Sequence, residues 1–160
     1  MKKSIRNLIM VICIIILNIA IIFTYKFFFI NENVNLSINW KIDIPKPKNI
    51  EVLYNYEYRD GEDLEIWYYE KENIEEIVNN NNFKNIDEEN KSFIYQKMND
   101  YYIILDEDKK KLFDENVSIE RLITEENYFA FNTSKDNEES WILLILDYKT
   151  GKLYYFVNVY

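Results

Sequence analysis

The sequence predicts an α+β fold: a small antiparallel, hairpin-rich sheet with two or three short helices, preceded by one membrane-crossing helix. Three observations carry this reading. An uncharged apolar run fills residues 7–25. Strand-like segments flank two glycine turns, at Asp60-Gly61 and Thr150-Gly151. Between those hairpins lie stretches with helix-capping residues and apolar stripes.

The apolar run is about 19 residues long, close to the roughly 20 that cross a ~30 Å hydrocarbon core. Lys26 interrupts it before Phe27, Phe28, Phe29 and Ile30, at a depth from which a lysine can snorkel. Lys2, Lys3 and Arg6 would also suit a cleaved leader. However, the run exceeds the apolar core of about 7–15 residues usual there. Ala20 offers no second small residue for cleavage, and Ile12 stands where a lipobox needs a small side chain before Cys13. The expectation is an uncleaved signal anchor over residues 1–30 and an extracytoplasmic domain over residues 31–160. Three basic residues before the span and only Lys26 close after it place the N-terminus in the cytoplasm.

Residues 36–42 alternate as a strand, and Ile44-Pro45-Lys46-Pro47 should then be extended and exposed. Residues 50–58 alternate most clearly, with Leu64, Ile66 and Tyr68 beyond an Asp-Gly turn, so a β-hairpin with positive φ at Gly61 is expected. Asn73 with Glu76 makes a capping-box pattern for a helix ending at residue 79. A second helix is expected over residues 87–98 with Asp87 as cap, then a strand over 101–105 and a charged turn over 106–111. Residues 118–124 suggest one or two helical turns, residues 128–131 a strand, and residues 135–139 a polar loop. Residues 141–146 have no polar face, which marks a central strand covered on both sides. Gly151 fits the left-handed position of a hairpin loop leading to a last strand over residues 153–160.

All 28 acidic residues follow residue 31, whereas four of the 19 basic ones (Lys2, Lys3, Arg6, Lys26) precede it. The domain thus has 15 basic against 28 acidic side chains, a formal charge of −13, which repels nucleic acid and anionic lipid headgroups. The single cysteine lies in the apolar run, so no disulfide braces the domain. The chain has no histidine, which removes Ser–His–Asp and Cys–His chemistry and histidine metal sites. Both glycines sit in predicted turns, leaving no phosphate-cradling glycine loop. No catalytic residue, cofactor or metal ligand is therefore assigned. Asp106-Glu107-Asp108 lacks the glycine and glutamate spacing of a calcium loop, and Lys109-Lys110-Lys111 follows it. The one binding face singled out is aromatic: Tyr54, Tyr56, Tyr58, Tyr68 and Tyr69 on the first hairpin, near Trp67. Such a platform suits a peptide, sugar or protein partner.

The basic start with its apolar run, the Ile44-Pro45-Lys46-Pro47 entry with Asp60-Gly61-Glu62, and the close from Leu146 to Phe156 resemble small membrane-anchored or lipoprotein-like proteins of Gram-positive bacteria of unassigned function. The final hairpin, with its Asp147 and Thr150-Gly151 turn, is also similar to PepSY-like domains, which implies protease inhibition or modulation. Neither resemblance carries over a functional residue. The resulting expectation is a non-enzymatic, membrane-tethered domain that binds a protein or peptide at the cell surface. An immunity or protease-modulating protein and a small carboxylate-dependent hydrolase are the alternatives. The anchor makes a direct prediction: the protein stays in membranes through carbonate and high-salt washes, at full-length mass. Release, or a shortened mass, defeats it.

Overall fold

The computed structural model describes residues 10, 12–21, 36–55, 61–134, 137 and 139–160. They fall in two compact units, Met1–Lys41 and Ile42–Tyr160.

In the first unit residues 12–21 are helical, and their apolar side chains stand exposed. Asn18 turns its side-chain amide back to the Ile14 carbonyl at 2.8 Å. Among the described residues no helix is long and apolar enough to cross a membrane. The ends of the apolar run, including residues 22–25, lie outside them. Leu36–Trp40 form one turn of π-helix, which corrects the strand expected there. Leu36 and Trp40 are buried and Ile38 is exposed. Residues four apart share a helical face just as they share a strand face, so the alternation fitted both. Lys41, at φ 55°, follows the turn.

In the second unit the described residues form a six-stranded antiparallel sheet. The strands are β1 (Asn49–Tyr54), β2 (Gly61–Tyr68), β3 (Lys84–Asn85), β4 (Tyr128–Thr133), β5 (Trp141–Asp147) and β6 (Lys152–Val159), in the order β1-β2-β6-β5-β4-β3. Four helices occupy the long crossover and its approaches: α1 (Lys71–Val78), α2 (Lys91–Ile104), α3 (Glu107–Asn116) and α4 (Ile119–Leu122). The α+β class, the antiparallel β1–β2 and β5–β6 pairings and the central place of β5 match the sequence reading, with four helices where two or three were expected; the expected Asp60-Gly61 turn falls on residues 56–60, outside the described residues, and Gly61 itself opens β2. β6 inserts between β2 and β5, pairing Leu64 with Phe156 on one side and Leu143 with Phe156 on the other.

One face of the sheet packs on the helices. Leu64, Ile66, Leu143, Ile145, Tyr154 and Phe156 join Ile94, Met98 and Tyr101 of α2, Phe113 of α3 and Leu122 of α4. Tyr101 lies at its centre, edge-on to Phe156 (5.5 Å) and Trp141 (5.9 Å), and donates its hydroxyl to the Asp63 carbonyl at 2.6 Å. The opposite face is also dry: Ile142, Leu144, Leu146, Leu153 and Trp67 are each 0% exposed.

Several helix limits depart from the sequence reading. α1 starts at Lys71, and Glu70, not Asn73, is its N-cap. Asp87 does not cap α2; its carboxylate accepts the N–H groups of Glu89 and Asn90 (3.0 Å each) in a turn before Asn90, the N-cap. α2 then runs through Tyr101, where a strand was expected. Ile94, Met98, Tyr101 and Leu105 continue one buried stripe at helical spacing. The charged stretch after it is α3, not a turn, because Asp106 caps it by accepting the Lys109 N–H at 2.9 Å. The two-residue β3 carried no sequence signal. The Ile44-Pro45-Lys46-Pro47 segment is less exposed than expected, with Ile44 and Pro47 buried and Tyr69 donating its hydroxyl to the Pro45 carbonyl at 3.1 Å.

The buried phenols set a pH limit. Burial raises Tyr54, Tyr69 and Tyr101 above the ordinary tyrosine value of 10.0. Tyr68 is pushed up to about 12, first by its hydrogen bond to Glu51, then by partial burial and the Glu51 charge. Groups raised on folding contribute stability that is complete below the unfolded value and is lost as pH climbs through the folded one. The domain should therefore lose stability progressively above pH 10, read by denaturant unfolding at stepped pH. Tyrosinate absorbance attributable to Tyr68, identified by Tyr68→Phe, should rise only near pH 12. Unchanged stability across that window contradicts the burial assigned to these rings.

Candidate functional site

Of the aromatic residues singled out on the first hairpin, Tyr54, Trp67 and Tyr68 do not share one face of the sheet. Tyr56 and Tyr58 lie outside the described residues. The register shifts between Val52 and Tyr54, and such a bulge moves the following side chain to the other face. Tyr54 therefore pairs with Leu64 and is buried with the helices, its hydroxyl beside that of Tyr101. Trp67 points to the opposite face, 0% exposed, with Nε1 donating to Glu65 at 2.6 Å and its ring stacked on Tyr155 at 5.2 Å. Tyr68 is half-buried; its hydroxyl donates to Glu51 at 2.6 Å and Lys152 stands over its ring.

The acids are equally dispersed. Asp63 and Glu65 are buried on the Trp67 face of β2, and neither lines the cleft described next. Asp106 caps α3, and Glu107 lies 3.8 Å from Lys110. Among the described residues no group of three or more metal-ligating side chains occurs.

A cleft of about 800 Å³ opens instead at one end of the sheet, within the size range of small-ligand and peptide pockets. One wall is the β5–β6 turn, with Tyr148, Lys149, Thr150 and Gly151. A second is the start of α1 and the residues before it, with Tyr69, Lys71, Ile74 and Glu75. A third is β3 and the approach to β4, with Asn85, Glu125, Glu126 and Tyr128. The Tyr128 and Tyr148 rings meet at 5.8 Å with a 50° tilt, leaving an open aromatic corner.

The walls are fixed by a buried polar framework. Asn127, only 4% exposed, donates from Nδ2 to the carbonyls of Arg121 (3.2 Å) and Leu122 (3.0 Å) and accepts the Tyr148 N–H at Oδ1 (3.1 Å). One side chain thus ties α4 to the β5–β6 turn on either side of the tyrosine pair. Asp147, 3% exposed, accepts Arg121 Nη2 at 3.0 Å and the Thr150 N–H at 3.1 Å. Asn85 donates to the Glu125 carbonyl at 2.8 Å, holding the third wall.

Gly151 closes the turn at φ 68°, its N–H donating to the Asp147 carbonyl and its carbonyl accepting the Tyr69 N–H, both at 2.9 Å. A Cβ there would lie 2.9 Å from Ile74 Cδ1 and from the Tyr69 carbonyl oxygen. The glycine thus serves both the left-handed turn and the close approach of α1. Satisfied buried networks rigidify what they join, so the cleft has the preorganised walls that recognition requires. Of these residues the sequence reading singled out Gly151 and its turn with Asp147, Tyr69 among the hairpin aromatics, and Glu125-Glu126 as one acidic cluster among several, without bringing them together. The signal for the rest, such as an asparagine before Tyr128, is local and common.

Because Asn127 joins two walls, Asn127→Ala should cost about 1–3 kcal/mol, since it leaves buried groups unpaired. It should also speed amide exchange at Tyr148 while leaving the β2–β6 amides protected. Hydrogen exchange checks both; equal protection at Tyr148 in both proteins removes Asn127 from this role.

Compared with family models, with curated proteins and with solved structures, the chain gives no match.

Proposed function

We propose that this is a non-enzymatic, membrane-tethered protein whose extracytoplasmic domain holds a segment of a protein or peptide partner in the Tyr128–Tyr148 cleft. The observation that carries the reading is the cleft itself: half-open, aromatic on one side, and held by side chains of Asn127 and Asp147 that are spent on its walls. Among the described residues its ionisable lining groups are carboxylates, lysines and phenols. The tether rests on the apolar run at residues 7–25. Exposed Ile and Leu side chains on the helical residues 12–21 support it, since a stripe of this kind belongs in an apolar medium. So does Asn18, whose amide is satisfied within the helix. The domain charge of −13 favours, as a second reading, an immunity or protease-modulating role against a basic partner.

The test is a crosslinked pull-down of the full-length protein from its native membrane, with partners identified by mass spectrometry. A reproducible partner should be captured, and Tyr148→Ser, at an exposed site, should lose it without unfolding the domain. Loss with Tyr56→Ser and Tyr58→Ser instead moves the binding face to the first hairpin. No partner in repeated captures defeats the binding reading.

A further inference from the structure

We infer that the cleft recognises a basic side chain, arginine or lysine, presented on a segment of a protein or peptide partner; this rests on the cleft being the binding site proposed above. The first observation is the aromatic corner. Aromatic faces attract cations through their quadrupole, and this domain uses that attraction repeatedly. Lys152 stands 5.3 Å from the Tyr68 ring, Lys109 5.6 Å from Tyr54, Lys110 5.8 Å from Tyr102, and Lys97 5.4 Å from Trp141. Among the described residues no cation stands over Tyr128 or Tyr148, although Tyr148 is 44% exposed. The nearby guanidinium of Arg121 is held by Asp147.

The second observation is charge. Glu75, Glu125 and Glu126 line the same cleft, all exposed and none in an ion pair with a described residue. Lys71 and Lys149 also line it, but they are outnumbered, and the domain around them carries −13. A cation entering the corner thus meets two ring faces and carboxylates within a negative field, whereas an acidic side chain meets only the two lysines. The third observation is rigidity. The Asn127 bonds fix the backbone at Tyr148 before any ligand arrives, so little ordering cost falls on binding.

The experiment uses the full chain in neutral detergent and dye-labelled, acetylated and amidated short peptides, identical but for one central Arg, Lys, Gln or Glu. Fluorescence anisotropy should show the Arg and Lys peptides binding ~10-fold more tightly than the Gln peptide, with the preference shrinking as salt rises and the Glu peptide weakest. The double variant Glu125→Gln, Glu126→Gln, at exposed positions that leave the fold intact, should erase most of the preference while sparing the Gln peptide. Equal binding of the Arg and Gln peptides, or tightest binding of the Glu peptide, overturns the inference yet leaves the cleft a binding site. No binding by any peptide also overturns it, and the Tyr148-dependent capture then judges the cleft separately.

Discussion

The pairing of β2 with β6 is the constraint on which the domain depends. It joins Gly61–Tyr68 to Lys152–Val159 through an unbroken antiparallel register. Without it the sheet would part into the β1–β2 hairpin and a four-stranded piece, β6-β5-β4-β3, and an isolated hairpin is marginally stable in water. Closing a loop from residue 68 to residue 152 costs on the order of 4 kcal/mol in chain entropy, so the pairing must return more than that. It does so because both faces are dry. Phe156 and Tyr154 go to the helices, while Leu153, Tyr155 and Val157 go to the Trp67 side. A strand buried on two faces removes about twice the apolar area of a half-exposed one.

The same closure creates the cleft. Inserting β6 brings the β5–β6 turn to the end of β2, where Gly151 and Tyr69 meet backbone to backbone. The approach to β4 then lies beside the same turn, and Asn127 joins the two. Polar groups buried at that junction are all spent on one another, which leaves the surrounding glutamates, lysines and tyrosines as the surface presented to a partner. Fold and site are thus coupled through a few buried hydrogen bonds, not through the many surface charges, whose pairings such as Lys48 with Glu70 are fully solvated and contribute little.

At the β3 side the sheet edge is blunted. β3 covers only Phe129 and Tyr128 of β4, and beyond it the Asn132 side chain accepts the Thr133 N–H at 2.9 Å. Satisfying an edge donor locally is one way a sheet avoids pairing with other chains.

The class, the Thr150-Gly151 turn, the central strand and the chemistry excluded by missing histidine were legible in the sequence alone. These follow from local backbone requirements, apolar periodicity or absent atoms, and none needs a distant partner. The sequence also determined the apolar run that motivates the anchor. Tertiary structure decided the rest. A bulge at Val52–Tyr54 turned Tyr54 inward, and the two-sided core took Trp67, so these two aromatic residues lie on opposite faces of the sheet. Residues 101–105 read as a strand, yet 101–104 extend α2 because the stripe from Ile94 is completed by Phe113 and Phe156 from elsewhere in the chain. The cleft as a whole was not legible: Ile74, Asn85, Asn127 and Tyr148 are far apart along the chain, and it takes the β3–β4–β5 pairings together with the insertion of β6 beside β2 to bring them to one place, a long-range register that no local pattern encodes.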